Sequence, residues 1–302
     1  MRRGEIKIEG LGKRYSFRSR APDEENEETD EGEDEAAETG FALLFGHRAE
    51  IWALRDIFCH IEPGERVAVI GGNGAGKTTL IRILARTLPP SEGTVEGGGT
   101  VIPFDALAGA LSEQRSGCDN LRMLARLLGV SLEHLEQRLP EIVEFSELGS
   151  LAHEKVFRYS SQSFARLAMA MALCIDAGTY LIDDGFGVGD KIYQKKVVEK
   201  FGDVLGRDRT LIFASNNLRE LKVYCRRALW LDGGKLVADG DFDTVAEKYL
   251  ANSRVSQNAK EPEPNSDAMA DPSALEPPSI AGAASHVAII DDQMRARVKR
   301  AK

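Results

Sequence analysis

The chain has 302 residues, is 42% apolar and 29% charged, and carries a formal net charge of −9. That length buries a core in one large or two small domains, and that composition excludes a fibre or a wholly disordered chain. Eleven acidic residues and no basic ones lie in Ala21–Thr39; without them the charge moves from −9 to +2, which speaks against a nucleic-acid-coating protein.

In chain order, Ile6-Lys7-Ile8 and Ile51–Ile61 are strand-like and flank the acidic run 21–39. That run lacks large apolar residues and cannot offset the entropy of ordering, so it is expected to be an overgrown hairpin tip without structure of its own. Arg66–Ile70 predicts a strand and Lys77–Arg86 a helix. A helix-rich block follows from about Asn120 to Asp176, within a subdomain assigned to about 105–176. Then come strand Thr179–Asp183, helix Lys191–Leu205, strand Thr210–Ala214, helix Leu218–Cys225 and strand Arg227–Leu231. Strands alternating with helices of this length predict a parallel sheet covered by helices. The α/β domain is assigned to residues 1–250. Residues 251–302 are Pro-rich and predicted disordered. The five basic residues between Met294 and Lys302 suit either an anionic membrane face or a frayed soluble tail.

No apolar run approaches the roughly 20 residues that span a bilayer. No apolar segment backs the charges of MRRGEIKIEG, so no secretory signal is read. Cys59, Cys118, Cys174 and Cys225 form no CxxC clip; two sit inside apolar runs and read as small buried hydrophobes in a reducing compartment. These features predict a cytosolic chain.

The chemistry concentrates in Val67–Thr79, VAVIGGNGAGKTT, which matches GxxxxGK[ST] through Gly71, Gly76, Lys77 and Thr78 with a strand before and a helix after. Glycines at 71, 72, 74 and 76 let consecutive N–H groups face an anion, and the helix adds its positive end. The candidate phosphate-binding set is therefore Gly71, Gly72, Asn73, Gly74, Ala75, Gly76, Lys77, Thr78 and Thr79. Lys77 is expected at the β- and γ-phosphates and the Thr78 hydroxyl on Mg²⁺. Tyr180-Leu-Ile-Asp183-Asp184 ends an apolar strand in two carboxylates, one to hold the metal and one to orient the attacking water. These residues predict a nucleoside triphosphate site.

In order along the chain stand GGNGAGKTT, Phe145-Ser-Glu-Leu-Gly149, YSSQSFARLAMA at 159–170, YLIDDGFGVGD at 180–190 and Ala214-Ser-Asn-Asn217. Together they resemble the ATP-binding subunits of ABC transporters, most closely the branch exporting capsular and related polysaccharides. The resemblance runs from about Ile6 to Tyr249 apart from the acidic insertion. It implies a P-loop (ABC ATPase) fold with a mixed sheet core and an inserted helical subdomain. It also implies ATP as the nucleotide, a second ATP-binding subunit in a homodimer or heterodimer, and an integral membrane permease. The location it implies is peripheral, on the cytoplasmic face of the cell membrane, with no nucleic acid involved. Tyr15 matches the aromatic that stacks on adenine, with Trp52 as a weaker substitute. Ser160, Ser161 and Gln162 match the signature that closes over the partner subunit's ATP, and Asp190 the carboxylate that crosses the interface. No NKxD guanine motif is present, and no coiled-coil insertion of a DNA-repair ATPase.

The departures concern turnover. Gln162 stands where the family usually has Gly, Asp184 where it has the catalytic Glu, and Asn216 where it has the switch His. The Gln expected before the helical block has no clear equivalent: Phe104 falls near its place and Gln114 lies too far on. Lys77, Thr78 and Asp183 are intact. The leading expectation is thus a polysaccharide exporter's ATPase subunit with attenuated hydrolysis. The alternative is a degenerate ATP-dependent switch or assembly subunit. The tail after Ala251 lacks the alternating segments of a sugar-binding β-sandwich, so the subunit is not expected to select the glycan itself.

Overall fold

Alternating residues at the N-terminal end zip into an antiparallel ladder. In the computed structural model, which describes residues 1–18, 48–184, 191–206 and 208–258, β1 (Ile6–Arg18) pairs with β2 (Arg48–Ile61) from Ile6↔Ile61 out to Arg18↔Arg48. β3 (Arg66–Ile70) leads into α1 (Lys77–Leu84). β4 (Glu92–Gly97) returns to β1 and completes a three-stranded sheet of order β2-β1-β4. After β5 (Val101–Pro103) come α2 (Phe104–Gly109), α3 (Gly117–Leu127), α4 (Leu132–Ser146), two 3₁₀ turns (Gly149–His153 and Val156–Arg158) and α5 (Ser161–Cys174). The chain then alternates through β6 (Thr179–Asp183), α6 (Lys191–Leu205), β7 (Thr210–Ala214), α7 (Leu218–Tyr224), β8 (Arg227–Asp232), β9 (Lys235–Asp241) and α8 (Phe242–Asn258). The larger sheet has the order β5-β6-β7-β3-β8-β9, parallel except for β9. The sheet is therefore mixed, and the helical block enters between β5 and β6.

The strands of the larger sheet are apolar on both faces because each face has its own core. Ala68 and Ile70 of β3, Tyr180 and Ile182 of β6, Leu211 and Phe213 of β7, and Ala228 and Trp230 of β8 join the cluster that includes the inserted helices. Their neighbours Val67, Val69, Leu181, Ile212, Ala214, Leu229 and Leu231 join a second cluster with α1 and the antiparallel sheet. The first cluster holds a chain of rings: Phe201 meets Phe104 at 5.8 Å, Tyr224 at 5.6 Å and Tyr180 at 6.4 Å between centroids. Serines start the three longer inserted helices. Ser116, Ser131 and Ser160 each accept the N–H three residues on, a cap that contributes about 1 kcal/mol per helix.

The expected strands 66–70, 179–183 and 210–214 and the helix 191–205 appear with those bounds. Other elements differ. β1 and β2 run further toward the acidic segment than Ile8 and Ile51 suggested, because ladder bonds continue to Arg18↔Arg48. α1 stops at Leu84, short of Arg86, whose φ is 59°. The boundary placed near Ala251 falls inside α8, which continues to Asn258. Phe242, Val245 and Ala246 bury one side of that helix, and no proline interrupts it before Pro262. The acidic run and residues 259–302 lie outside the described residues. All four cysteines are free and buried, two more than the apolar runs suggested, and burial pushes Cys59, Cys174 and Cys225 up to about 12.

Phe201 is fully buried at the centre of the ring chain. Phe201→Ala is expected to lower unfolding free energy by about 3–5 kcal/mol, read as a lower urea midpoint with unchanged slope.

Candidate nucleotide-binding site

Between Ile70 and Lys77 the backbone must turn from strand to helix within a crowded corner. A Cβ on Gly71 would lie 2.3 Å from the Leu231 carbonyl oxygen, and one on Gly76 2.4 Å from that of Ala53. Only glycine fits at either position. The Cβ directions of Gly72 and Gly74 meet nothing within 4 Å, so the outer side of the loop is open. Gly76, at φ 103°, caps α1 without a side-chain hydrogen bond, and the first turn carries no acidic residue. The first N–H groups of α1 thus have no intrahelical acceptor and face a site suited to an anion.

Lys77 is only 8% exposed, and its Nζ donates to the carbonyls of Gly71 (2.7 Å) and Gly72 (2.9 Å). Burial holds its pKa below the ordinary lysine value, while the carboxylates of Asp184 and Asp183 push the other way. The ammonium is thereby parked on the loop that it is expected to serve.

The opposite wall comes from strand ends. Asp183 closes β6 in register with Ala214 of β7. Burial raises its pKa above the usual carboxylate value; a hydrogen bond from the Thr78 hydroxyl opposes this, and the charge of Asp184 adds to it. Asp184 sits in the left-handed region at φ 64°, with its N–H donating to the Ala214 carbonyl (2.9 Å). Just past β7, Asn216 donates through Nδ2 to Asn73 Oδ1 at 3.2 Å, so the switch position rests against the phosphate loop. The cleft enclosed is about 350 Å³, lined by Ala53, residues 73–79, Asp183, Asp184 and Asn216. Gly71 and Gly72 are not part of that lining but connect to it through the bonds that their carbonyls accept from Lys77.

Ala53 at the mouth and the Asn73–Asn216 bond are features that sequence reasoning missed; they join residues far apart in the chain, and no local pattern announces them. Other expected residues lie apart from the cleft. Tyr15 is 40% exposed on β1 opposite Ile51, with Lys13 Nζ 5.5 Å from its ring centre. Trp52 has the guanidinium groups of Arg14 and Arg55 over its ring at 5.6 and 5.4 Å, which leaves Tyr15 the more open aromatic. Ser160, Ser161 and Gln162 are exposed at the head of α5 and line no part of the cleft. Phe104 is a buried ring against Tyr180 and Phe201, a core residue rather than a cleft residue. Asp190 lies outside the described residues.

Comparison with known proteins agrees with this geometry. The ABC transporter family pattern matches residues 54–187. The teichoic acids export ATP-binding protein TagH of Staphylococcus haemolyticus is 31% identical over 198 residues, 66% of this chain and 75% of that protein. TagH proteins of Bacillus anthracis and Listeria innocua are 31% and 32% identical over 198 residues, which are 36% and 59% of their lengths. In fold, the chain matches an ATP-binding subunit of an ABC transporter with TM-score 0.61 at 18% identity, covering 84% of this chain and 99% of that one. A dimeric ATP-binding cassette in a post-hydrolysis state bound to ADP and Pi matches with TM-score 0.57 at 18% identity, covering 78% and 98%. With its strand–glycine loop–helix cleft in place and 31% identity across three quarters of the staphylococcal relative, the chain belongs to the ABC transporter family, among its ATP-binding subunits.

Proposed function

We propose that this chain powers a cell-surface polysaccharide exporter, binding Mg-ATP in the cleft, pairing with a second ATP-binding subunit and docking on a separate membrane permease. The observation that carries the ATP site is the Lys77 ammonium held over a loop whose outer side and helix N-terminus are open to phosphate. The relatives named for teichoic acids export support the cargo class. Among the described residues no helix is long and apolar enough to cross a membrane. In this reading the chain sits peripherally on the cytoplasmic face.

Thr78 and Asp183 are one hydroxyl and one carboxylate, already hydrogen-bonded to each other at the cleft wall. They fit a magnesium ion, which keeps most of its shell as water and phosphate oxygens. Bound there, Mg²⁺ would neutralise charge on the phosphate oxygens. Lys77 exchanges its loop carbonyls for phosphate, the loop N–H groups of 72–76 accept the anion, and Asp184 orients water. Tyr15 stacks on adenine. Ser160 and Ser161 reach the ATP of the second subunit, with Asp190 crossing the same interface.

One observation favours attenuated hydrolysis, the switch reading. Asn216 spends its amide on Asn73, while Asp184 is one methylene shorter than Glu and sits on left-handed backbone. Loss of about 1 Å in placing a water can cost on the order of 100-fold in rate.

The roles of Lys77, Asp183 and Asn216 each carry expected outcomes. Saturating Mg-ATP raises the melting temperature of the parent by several degrees, a ligand at 100 times its Kd adding about 2.7 kcal/mol, and leaves Lys77→Ala unmoved. A strain with Lys77→Ala as its sole copy loses its surface polysaccharide. An unmoved parent sinks the ATP reading, and a strain that keeps its polysaccharide sinks the export reading. Asp183→Asn melts higher than the parent without ATP at neutral pH, because ionisation of a carboxyl with a raised pKa opposes folding. That advantage shrinks as pH falls through Asp183's folded pKa toward the unfolded carboxylate value of about 4. The same variant loses the magnesium dependence of ATP binding. Asn216→His raises the ATPase rate if the switch position limits turnover; an unchanged rate removes Asn216 as a basis for attenuation and leaves Asp184.

A further inference from the structure

The signature serines stand at the end of a loop that is fastened to the helical subdomain by more than its own backbone. Residues 154–157 are stitched to 113–117: Val156 donates to the Arg115 carbonyl (2.9 Å), Phe157 to that of Glu113 (3.0 Å) and Gly117 to that of Glu154 (3.2 Å). The segment so gripped is itself held by Asn120, fully buried, whose Nδ2 donates to the carbonyls of Ser112 (2.9 Å) and Ser116 (3.0 Å) while Oδ1 accepts the Ser112 N–H (2.7 Å).

Tyr159, the residue immediately before Ser160, closes this arrangement. Its hydroxyl donates to the Leu151 carbonyl (2.7 Å) and lies close against the backbone of Gly117. Burial pushes its pKa up to about 12, so the proton stays in place at any assay pH. The fit is close: a Cβ on Gly117 would lie 2.3 Å from that hydroxyl oxygen. One peptide further, Ser160 Oγ caps α5 by accepting the Ser163 N–H (3.1 Å) and lies 2.9 Å from Ser163 Oγ. Ring, cap and helix start thus follow one another directly, with the outer end exposed and the inner end held at the Leu151 carbonyl.

We propose that Tyr159 is the positioning residue of the signature: its hydroxyl, bonded to the Leu151 carbonyl and packed against Gly117, sets where Ser160 and the first turn of α5 meet the phosphates of ATP held by a second subunit. This rests on the reading that the signature faces a partner's nucleotide. Tyr159 has no part in the cleft of its own chain, so its loss separates two events that a general structural defect would damage together.

The test uses the full chain, Mg-ATP, and the variants Tyr159→Phe and Gly117→Ala, which remove the hydroxyl or displace it. Nucleotide binding is read at low protein concentration by thermal shift, and self-association by sedimentation velocity. With the hydroxyl's bond to Leu151 removed in Tyr159→Phe and displaced in Gly117→Ala, ATP-driven dimerisation weakens by about tenfold in both variants, while ATP affinity of the dilute chain stays within about twofold. Tyr159→Phe that dimerises like the parent overturns the proposal, as does a parallel loss of ATP affinity or unfolding at the assay temperature. A parent that binds Mg-ATP but never self-associates, alone or with its permease, overturns the shared-site reading instead.

Discussion

The close approach of the loop after β3 to Leu231 and Ala53 is the constraint on which the rest of the cleft depends. Two glycines at its ends let the backbone pass within contact distance of neighbouring strands, and that tight passage is what turns successive N–H groups outward. A side chain at either end would have to push β8 or β2 away. Lys77 then has nowhere to go but back over the loop, where its charge is desolvated and satisfied by two carbonyls. Such a lysine is poised: its bonds to the two loop carbonyls keep it buried, yet a phosphate oxygen offers a full counter-charge in exchange.

Around that loop the parallel strands contribute only their carboxyl ends. Asp183 ends β6 and Asp184 follows it, while Ser215 and Asn216 follow the end of β7, so the register of those two strands sets the separation between the two carboxylates and Asn216. The helical subdomain contributes nothing to the cleft of its own chain. It holds its serines outward on a separate, internally stitched loop. The cleft is thus made by close backbone packing, and the loop before α5 is held by a half-buried tyrosine and a buried asparagine.

Much of this was legible beforehand, for physical reasons. The phosphate loop is a local device, so the spacing of Gly71, Gly76, Lys77 and Thr78 suffices to find it. β3, β6 and β7 are covered on both faces and read as unbroken apolar runs. β4 and β9 lie at sheet edges and are half exposed, with glycines and acids in EGTVEG and KLVADGD, and their patterns are too weak to stand out. The Asn73–Asn216 bond, the Gly71–Leu231 contact and the pinning of Tyr159 depend on residues brought together only by the fold. The departures at 162, 184 and 216 could be seen in the sequence, but not that Asn216 already has a partner.

The shared sheet also governs where the chain tolerates changes in length. Because β3, β6, β7 and β8 feed alternate residues to two different cores, adding or deleting one residue in any of them would exchange both sets of side chains at once. The far end of the β1–β2 ladder carries no such double obligation, and closing a longer loop there costs only logarithmically more entropy. Indels should accordingly accumulate beyond Arg18 and vanish from the strands beneath the nucleotide, whatever cargo the transporter carries.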